Sequence, residues 1–150
     1  MDVEQAIRDY LPTVIHMSLA TCVDNKPWVC EVHFVYDNDL NLYWRSTPDR
    51  RHSQEIAKNP NVAGNIIEQH GESQKPRGLY FEGRAEQVAV TTEDDHVYKL
   101  FVERFGKGPE ILDNPHNFYK VNVADWYLFD ARDSDPAQKY HLDRGEGKNE

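Results

Sequence analysis

Two stretches of alternating residues, joined by a turn, constrain this chain of 150 residues most strongly. Residues 14–23, VIHMSLATCV, set Ile15, Met17 and Leu19 against His16, Ser18 and Ala20. Residues 28–36, WVCEVHFVY, place Trp28, Cys30, Val32, Phe34 and Tyr36 on one face and Glu31 and His33 on the other. A period of two is the strand period, so each stretch is a long strand. The first face is expected to be mostly buried, with Glu31 and His33 turned away from the core. Asp24-Asn25-Lys26-Pro27 between the strands is a turn. Asp37-Asn38-Asp39 turns the chain again into a third strand over 40–45, which makes a meander.

Further strands follow over 62–68, 78–90 and 118–131, with a short one over 139–142. Gly83 inside the fifth predicts a bulge or a close approach by another backbone or a ligand. Loops are read over 69–77 and 107–117, and a turn over 133–136. The helices are fewer. Val3, Ala6, Ile7 and Tyr10 share one helical face within 2–10, and Leu11-Pro12 ends that helix. Thr92, with Asp95 three residues on, predicts the start of another, with Val97, Leu100, Phe101 and Phe105 on its face and Gly106 at its end. Six to seven mostly antiparallel strands with two to three short helices predict a mainly β domain, a small barrel that is closed or nearly so. Strands this long span roughly 30 Å at about 3.3 Å per residue, which suits a tilted barrel better than a flat sheet with open edges. One domain over 1–144 and a disordered tail over 145–150 complete the expectation, with no repeat and no linker.

The most unusual charge pattern lies within 42–66. Leu42, Tyr43 and Trp44 end a strand, and Ser46 with Asp49 three residues on resembles a capping box around Pro48. Ile56 and Ala57 belong to the apolar face of the helix, and Asn59-Pro60 stops it. Arg50, Arg51 and His52 then fall in the first helical turn. The N-terminus of a helix already carries about half a positive charge, so cations there work against the dipole. Free N–H groups, a hydroxyl and guanidinium forks are together a phosphate-sized anion site. The alternative is that the arginines are solvated and pair with Asp49 or Glu55.

Other classes are disfavoured. A net charge of −9 argues against nucleic acid, whose backbone demands clustered cations. No apolar run approaches membrane-spanning length and no signal peptide opens the chain. Cys22 and Cys30 make no disulfide framework, so a reduced, cytoplasmic setting is the default. The seven histidines form no zinc motif, and no nucleophile elbow is present.

The segments MSLATCVDNKPWVCEVHFVYDNDLNLYW, RRHSQEIAKNPNVAGNI and GLYFEGRAEQV, from Met17 to Val88, resemble in order and spacing the pyridoxamine 5′-phosphate oxidase-related FMN-binding split barrels. The resemblance implies a split β-barrel, a homodimer and two FMN sites at the subunit interface. It implies that Arg50, Arg51, His52 and Ser53 hold the FMN phosphate. Trp44, Arg45, Ser46 and Thr47 match the strand end beside the ribityl chain and ring. Glu31, Val32, His33 and Phe34 match the strand whose backbone runs along the isoalloxazine. Tyr80 stands where many relatives have Gln, in a segment that can reach the site. The substrate-phosphate residues of true pyridoxamine phosphate oxidases are not recognisable, so vitamin B6 synthesis is not expected.

The function so implied is hydride transfer through flavin to or from a small molecule. A flavin-binding protein without turnover is one alternative. A barrel that binds haem or a deazaflavin is another, with His116 or His141 as candidate haem ligands. No catalytic acid or base is named; His33 and Tyr80 are the first to test. Several candidates also have plainer roles: Trp44 as a core or interface aromatic, His33 as a solvated strand residue, and Glu31 as solvated or paired with a neighbouring cation. A dimer would bury well over ~1,200 Å² in total, with Trp126, Tyr127 and Phe129 as contributors.

Overall fold

A computed structural model of the chain describes residues 1–109, 117–132 and 138–145. The elements in order are α1 (Val3–Tyr10), a 3₁₀ turn (Leu11–Thr13), β1 (His16–Val23), β2 (Lys26–His33), β3 (Val35–Tyr36), β4 (Leu42–Ser46), α2 (Arg51–Lys58), β5 (Asn61–Ile67), β6 (Arg77–Val88), α3 (His96–Phe105), β7 (Asn117–Asp130) and β8 (Gln138–Asp143). The strands form one eight-stranded antiparallel sheet, with path β2-β1-β5-β6-β7-β4-β3 and β8 paired to β7. The count exceeds the expected six to seven because the strand expected over 28–36 is divided at Phe34 into β2 and β3.

That extra strand determines the shape. Phe34 alone separates β2 from β3, yet the two stand at opposite ends of the path. One residue reaches only about 3.6 Å. The ends of the sheet must therefore meet, and the sheet curls into a barrel. β2 approaches β4 but is not its ladder neighbour, so the barrel is split along that line. The expected meander is thus interrupted: β2 pairs with β1, and β3 pairs with β4.

The β1–β2 hairpin turns on Asp24 and Asn25, both with positive φ, at 53° and 61°. A two-residue loop of this kind matches the twist of the strands it joins. Within β1, Met17, Leu19 and Thr21 point into the core. The shared face of 28–36 behaves differently from the expectation. Phe34 is fully buried, Cys30, Val32 and Tyr36 are half-buried, and Trp28 is 40% exposed. The alternation is present, but β2 is an edge strand: Cys30, Val32 and Tyr36 pack against the core only in part, and residues of both faces of β2 border a cavity. At Phe34 the backbone N–H donates to Ile15 O at 3.1 Å, the last bond before the chain changes partners.

β6 and β7 form the longest pairing, and its register shifts between Glu82 and Gly83. A Cβ at Gly83 would lie 2.2 Å from the Asn122 carbonyl oxygen, so the bulge expected there is also a close backbone approach. α1 closes one end of the barrel with Ile7 and Tyr10. The Tyr10 hydroxyl accepts from Glu68 N–H at 2.7 Å, and Arg77 lies over its ring at 4.7 Å. Arg77 grips Glu68 through two bonds of 2.6 and 3.0 Å, which holds the Glu68 carboxyl below its ordinary range. A second apolar cluster of Val35, Tyr43, Val90, Val97, Phe101 and Phe118 lies under α3.

Helix starts differ from the expectation. Ser46 is the last residue of β4, paired with Asn117, and α2 begins at Arg51 with Arg50 as its N-cap and no capping side chain. The reason is local: the Ser46 hydroxyl is held by His52 and the turn between them is closed by Arg50 N–H to Thr47 O at 3.3 Å. The N-cap of α3 is Asp95, not Thr92, because the Asp95 carboxylate accepts from Val97 N–H at 2.8 Å. Gly106 ends it in the left-handed region, as expected. Trp126 is core rather than interface: it is fully buried and its indole N–H donates to Leu40 O at 3.3 Å. The turn over 133–136, most of the loop over 107–117, and 146–150 lie outside the described residues.

Candidate functional site

The split between β2 and β4 opens into a cavity of about 710 Å³. β2 supplies Trp28, Cys30, Glu31, Val32 and His33 to its wall. The end of β4 and the following turn supply Arg45, Ser46, Thr47 and Arg50, and α2 supplies Arg51 and His52. Phe101 and Phe105 of α3 complete it.

Nine of the sequence-predicted residues therefore meet here: Glu31, Val32, His33, Arg45, Ser46, Thr47, Arg50, Arg51 and His52. Four do not line it. Phe34 and Trp44 are core residues with no exposed surface. Ser53 is buried behind the turn, where its hydroxyl donates to Thr47 O at 2.9 Å. Tyr80 lies on the outer face of β6 between Asn65 and Tyr127, 39% exposed. Trp28, Cys30, Phe101 and Phe105 were not anticipated at the site. The sequence marks them only as apolar positions, and whether an apolar face meets core or cavity depends on what covers it.

The electrostatics divide the cavity. Arg51 Nε donates to Glu55 Oε2 at 2.8 Å, and its guanidinium lies 4.3 Å from the centre of the Trp28 ring. Glu55 is held in turn by the Thr21 hydroxyl at 2.6 Å, and these two donors, Thr21 first, keep its carboxyl below the ordinary range. The pairing weighed from the sequence is thus present, but it uses one edge of the guanidinium. No described residue takes the Nη groups. A planar cation fixed by a carboxylate and an aromatic face is a preorganised anion fork. Arg45, Arg50 and Arg51 concentrate positive charge in a chain of net charge −9.

At the other side, Glu31 is held by the Ser18 hydroxyl and by His16 Nδ1, the latter at 3.1 Å. The His33 ring stacks loosely on Phe105, with centroids 5.9 Å apart. Burial, and secondarily Glu31, pushes the Cys30 thiol up to about 11, so it stays protonated at neutral pH. A larger hollow of about 1,030 Å³ lies over the Gly83 bulge, but it mixes Arg84 and Lys120 with Glu82, Glu86 and Asp125 and contains no sequence-predicted site residue.

His52 is not a surface cation. It is 7% exposed, and burial first, with the Arg50 charge second, pulls its pKa below the ordinary range. An unfolded histidine titrates near ~6.5. Below that pH the unfolded chain takes a proton that folded His52 refuses, so stability is expected to fall as pH drops through ~6.5 toward the depressed folded value. Above ~6.5 this contribution is flat. Urea unfolding at pH 7.5 and 5.5 should show the loss, and His52→Gln should remove that part of it; an unchanged pH dependence in the variant would refute the assignment.

A family model described as pyridoxamine 5′-phosphate oxidase matches residues 3–130. Among solved structures the chain is similar to ChuZ of Campylobacter jejuni, with a TM-score of 0.76 at 17% identity over 94% of this chain and 59% of that one. It is similar to a FAD-binding protein of Mesorhizobium loti, with a TM-score of 0.66 at 21% identity over 87% of this chain and 95% of that one. HutZ, a haem storage protein of Vibrio cholerae, aligns with a TM-score of 0.63 at 23% identity over 81% of this chain and 89% of that one. At these identities the likeness is one of fold. No curated protein matches the sequence.

Proposed function

The chain belongs to the pyridoxamine 5′-phosphate oxidase family, and from that premise we propose that it binds FMN in the split of the barrel and acts as a flavin-dependent oxidoreductase on a small molecule. The observation that carries this reading is the meeting of Arg50, the Arg51 fork and the Ser46 hydroxyl at one end of a cavity walled by β2. The donor set fits a phosphomonoester: planar guanidinium edges and a hydroxyl beside a helix start. When bound, the flavin would supply the hydride chemistry. The chain's own residues bind and orient. Arg50 and Arg51 would hold the phosphate end and the β2 segment at Glu31, Val32 and His33 would face the ring, with Phe105 backing His33.

The reading includes a homodimer that completes the site. Tyr80, Tyr127 and His141 stand in one row across β6, β7 and β8, on the outer face of the sheet. Tyr127 and His141 stack with centroids 4.7 Å apart, and Tyr80 is 39% exposed beside them, with the Lys139 ammonium 5.6 Å from its ring centre. An outward aromatic row of this kind suits an isologous interface.

Haem is the second reading, favoured by the likeness to a haem storage protein. Two of the histidines weigh against it. His141 is paired with Asp125 at 2.8 Å on the outer face, and His52 is committed to Ser46. His116 lies outside the described residues.

Titration with FMN, riboflavin and haem, followed by absorption and flavin fluorescence, separates these readings. FMN is expected to bind micromolar or tighter, with riboflavin weaker. NAD(P)H consumption by the FMN-loaded protein then tests turnover, and sedimentation tests the dimer. Haem binding with no FMN binding would overturn the proposal.

A further inference from the structure

His52 and Ser46 form a buried pair inside an otherwise cationic site. β4 ends at Ser46 and α2 starts at Arg51, so the chain between them folds back in one tight turn. Ser53 pins that turn from behind through Thr47 O. The result puts His52 Nε2 at 2.6 Å from Ser46 Oγ, with the two residues 7% and 6% exposed. Both touch the cavity.

A neutral imidazole has one donor and one acceptor nitrogen, and a hydroxyl has one proton to give. Two arrangements satisfy the short contact. If His52 Nε2 accepts, the Ser46 proton is used inside the pair and the cavity meets only oxygen lone pairs. If His52 Nε2–H donates, the Ser46 proton is released to point at the cavity. An anion drawn in by Arg50 and Arg51 needs a donor, so it selects the second arrangement. His52 then needs no positive charge to contribute, which agrees with its burial beside Arg50.

We propose that His52 is a positioning residue that does not touch the anion itself, and that it acts by fixing the Ser46 hydroxyl as a hydrogen-bond donor to a phosphomonoester. The inference rests on the phosphate reading of the cavity and gives His52 a role different from that of a direct phosphate ligand.

A double-mutant cycle tests it. The readout is the ratio of riboflavin to FMN dissociation constants, measured by flavin fluorescence for the parent, Ser46→Ala, His52→Asn and the double variant. Asparagine is too short to reach Ser46, whereas His52→Gln carries an N–H near the position of Nε2. Loss of one hydrogen bond to a charged group is worth about tenfold. Ser46→Ala is expected to lower the ratio about tenfold, His52→Asn by a similar factor, and the double variant no further, because both changes remove the same donor. His52→Gln should restore most of the preference. If the two losses multiply, His52 reads the phosphate directly and the proposal fails. If His52→Asn leaves the ratio intact while stability falls, His52 only packs and the proposal fails. A parent that prefers FMN while Ser46→Ala keeps the full ratio refutes this inference alone. A parent that binds FMN and riboflavin equally refutes it together with the phosphate site. Should His52→Asn not fold, Ser46→Ala against Ser46→Ala/His52→Gln decides: a further loss on the second change overturns the proposal, and no further loss supports it.

Discussion

Trp44→Ala is expected to destabilise the protein by about 3–5 kcal/mol, the range for emptying a large aromatic from a packed core. Trp44 has no exposed surface and stacks on Tyr119 with centroids 5.2 Å apart and planes 16° from parallel. It sits in β4, between strand neighbours that cannot move without breaking the β4–β7 ladder, so the space left behind cannot collapse fully. Within the described residues its indole N–H has no acceptor. Trp44→Phe therefore keeps most of the packing and removes an unsatisfied donor, and it is expected to cost less than about 1.5 kcal/mol. Urea denaturation of the two variants reads the contrast. A small loss of stability in Trp44→Ala, together with a large loss of flavin affinity, would show that this ring contacts ligand and that its burial is not what matters.

Trp44 also shows where the sequence was readable and where it was not. The alternation in 14–23 and 28–36, the punctuation at Gly83, Asn59-Pro60 and Gly106, and the element order point to a small antiparallel barrel, and the family resemblance adds that the barrel is split. Period two says which side chains share a face; it does not say what lies over that face. Trp28, Cys30 and Val32 alternate as a buried face would, yet they line a cavity because β2 has a neighbour on one side only. The segment 44–47 was carried over as a unit, but adjacent strand residues point oppositely: Arg45 lines the cavity and Trp44 fills the core. Phe34 shares the face of Cys30 and Val32 but lies between β2 and β3, where the chain changes partners, and is fully buried. The sequence places Phe101 and Phe105 on one helix face without saying what that face meets, and α3 divides it between the core and the cavity. The capping box at Ser46 failed because the hydroxyl had a nearer partner, His52, that spacing alone does not reveal.

Arg51→Ala is expected to weaken FMN binding ten- to a hundred-fold and to change riboflavin affinity little. The charge against the helix dipole first suggested an anion site here, and the structure adds how the guanidinium is held. Glu55 takes its Nε edge, Trp28 lies under its plane, and no described residue takes the Nη edge, which is where the proposed phosphate would bind. Fixing the fork beforehand lowers the ordering cost of binding, so its loss is larger than for a mobile surface arginine. A charge-assisted contact of this kind is worth about 1.5–3 kcal/mol, and ~1.4 kcal/mol is one decade in affinity. The apo-protein should lose some stability, since the Glu55 pair and the Trp28 stack go with the arginine; this reverses what the dipole alone would suggest. Arg51→Lys keeps the charge but not the fork, and Trp28→Leu keeps the fork but not the surface beneath it. Both are expected to fall between the parent and Arg51→Ala in FMN affinity. Equal losses for FMN and riboflavin in Arg51→Ala would mean that this arginine supports the cavity wall and does not read phosphate. A loss confined to FMN, graded across the three variants, follows only if the fork is built for a phosphate before the ligand arrives.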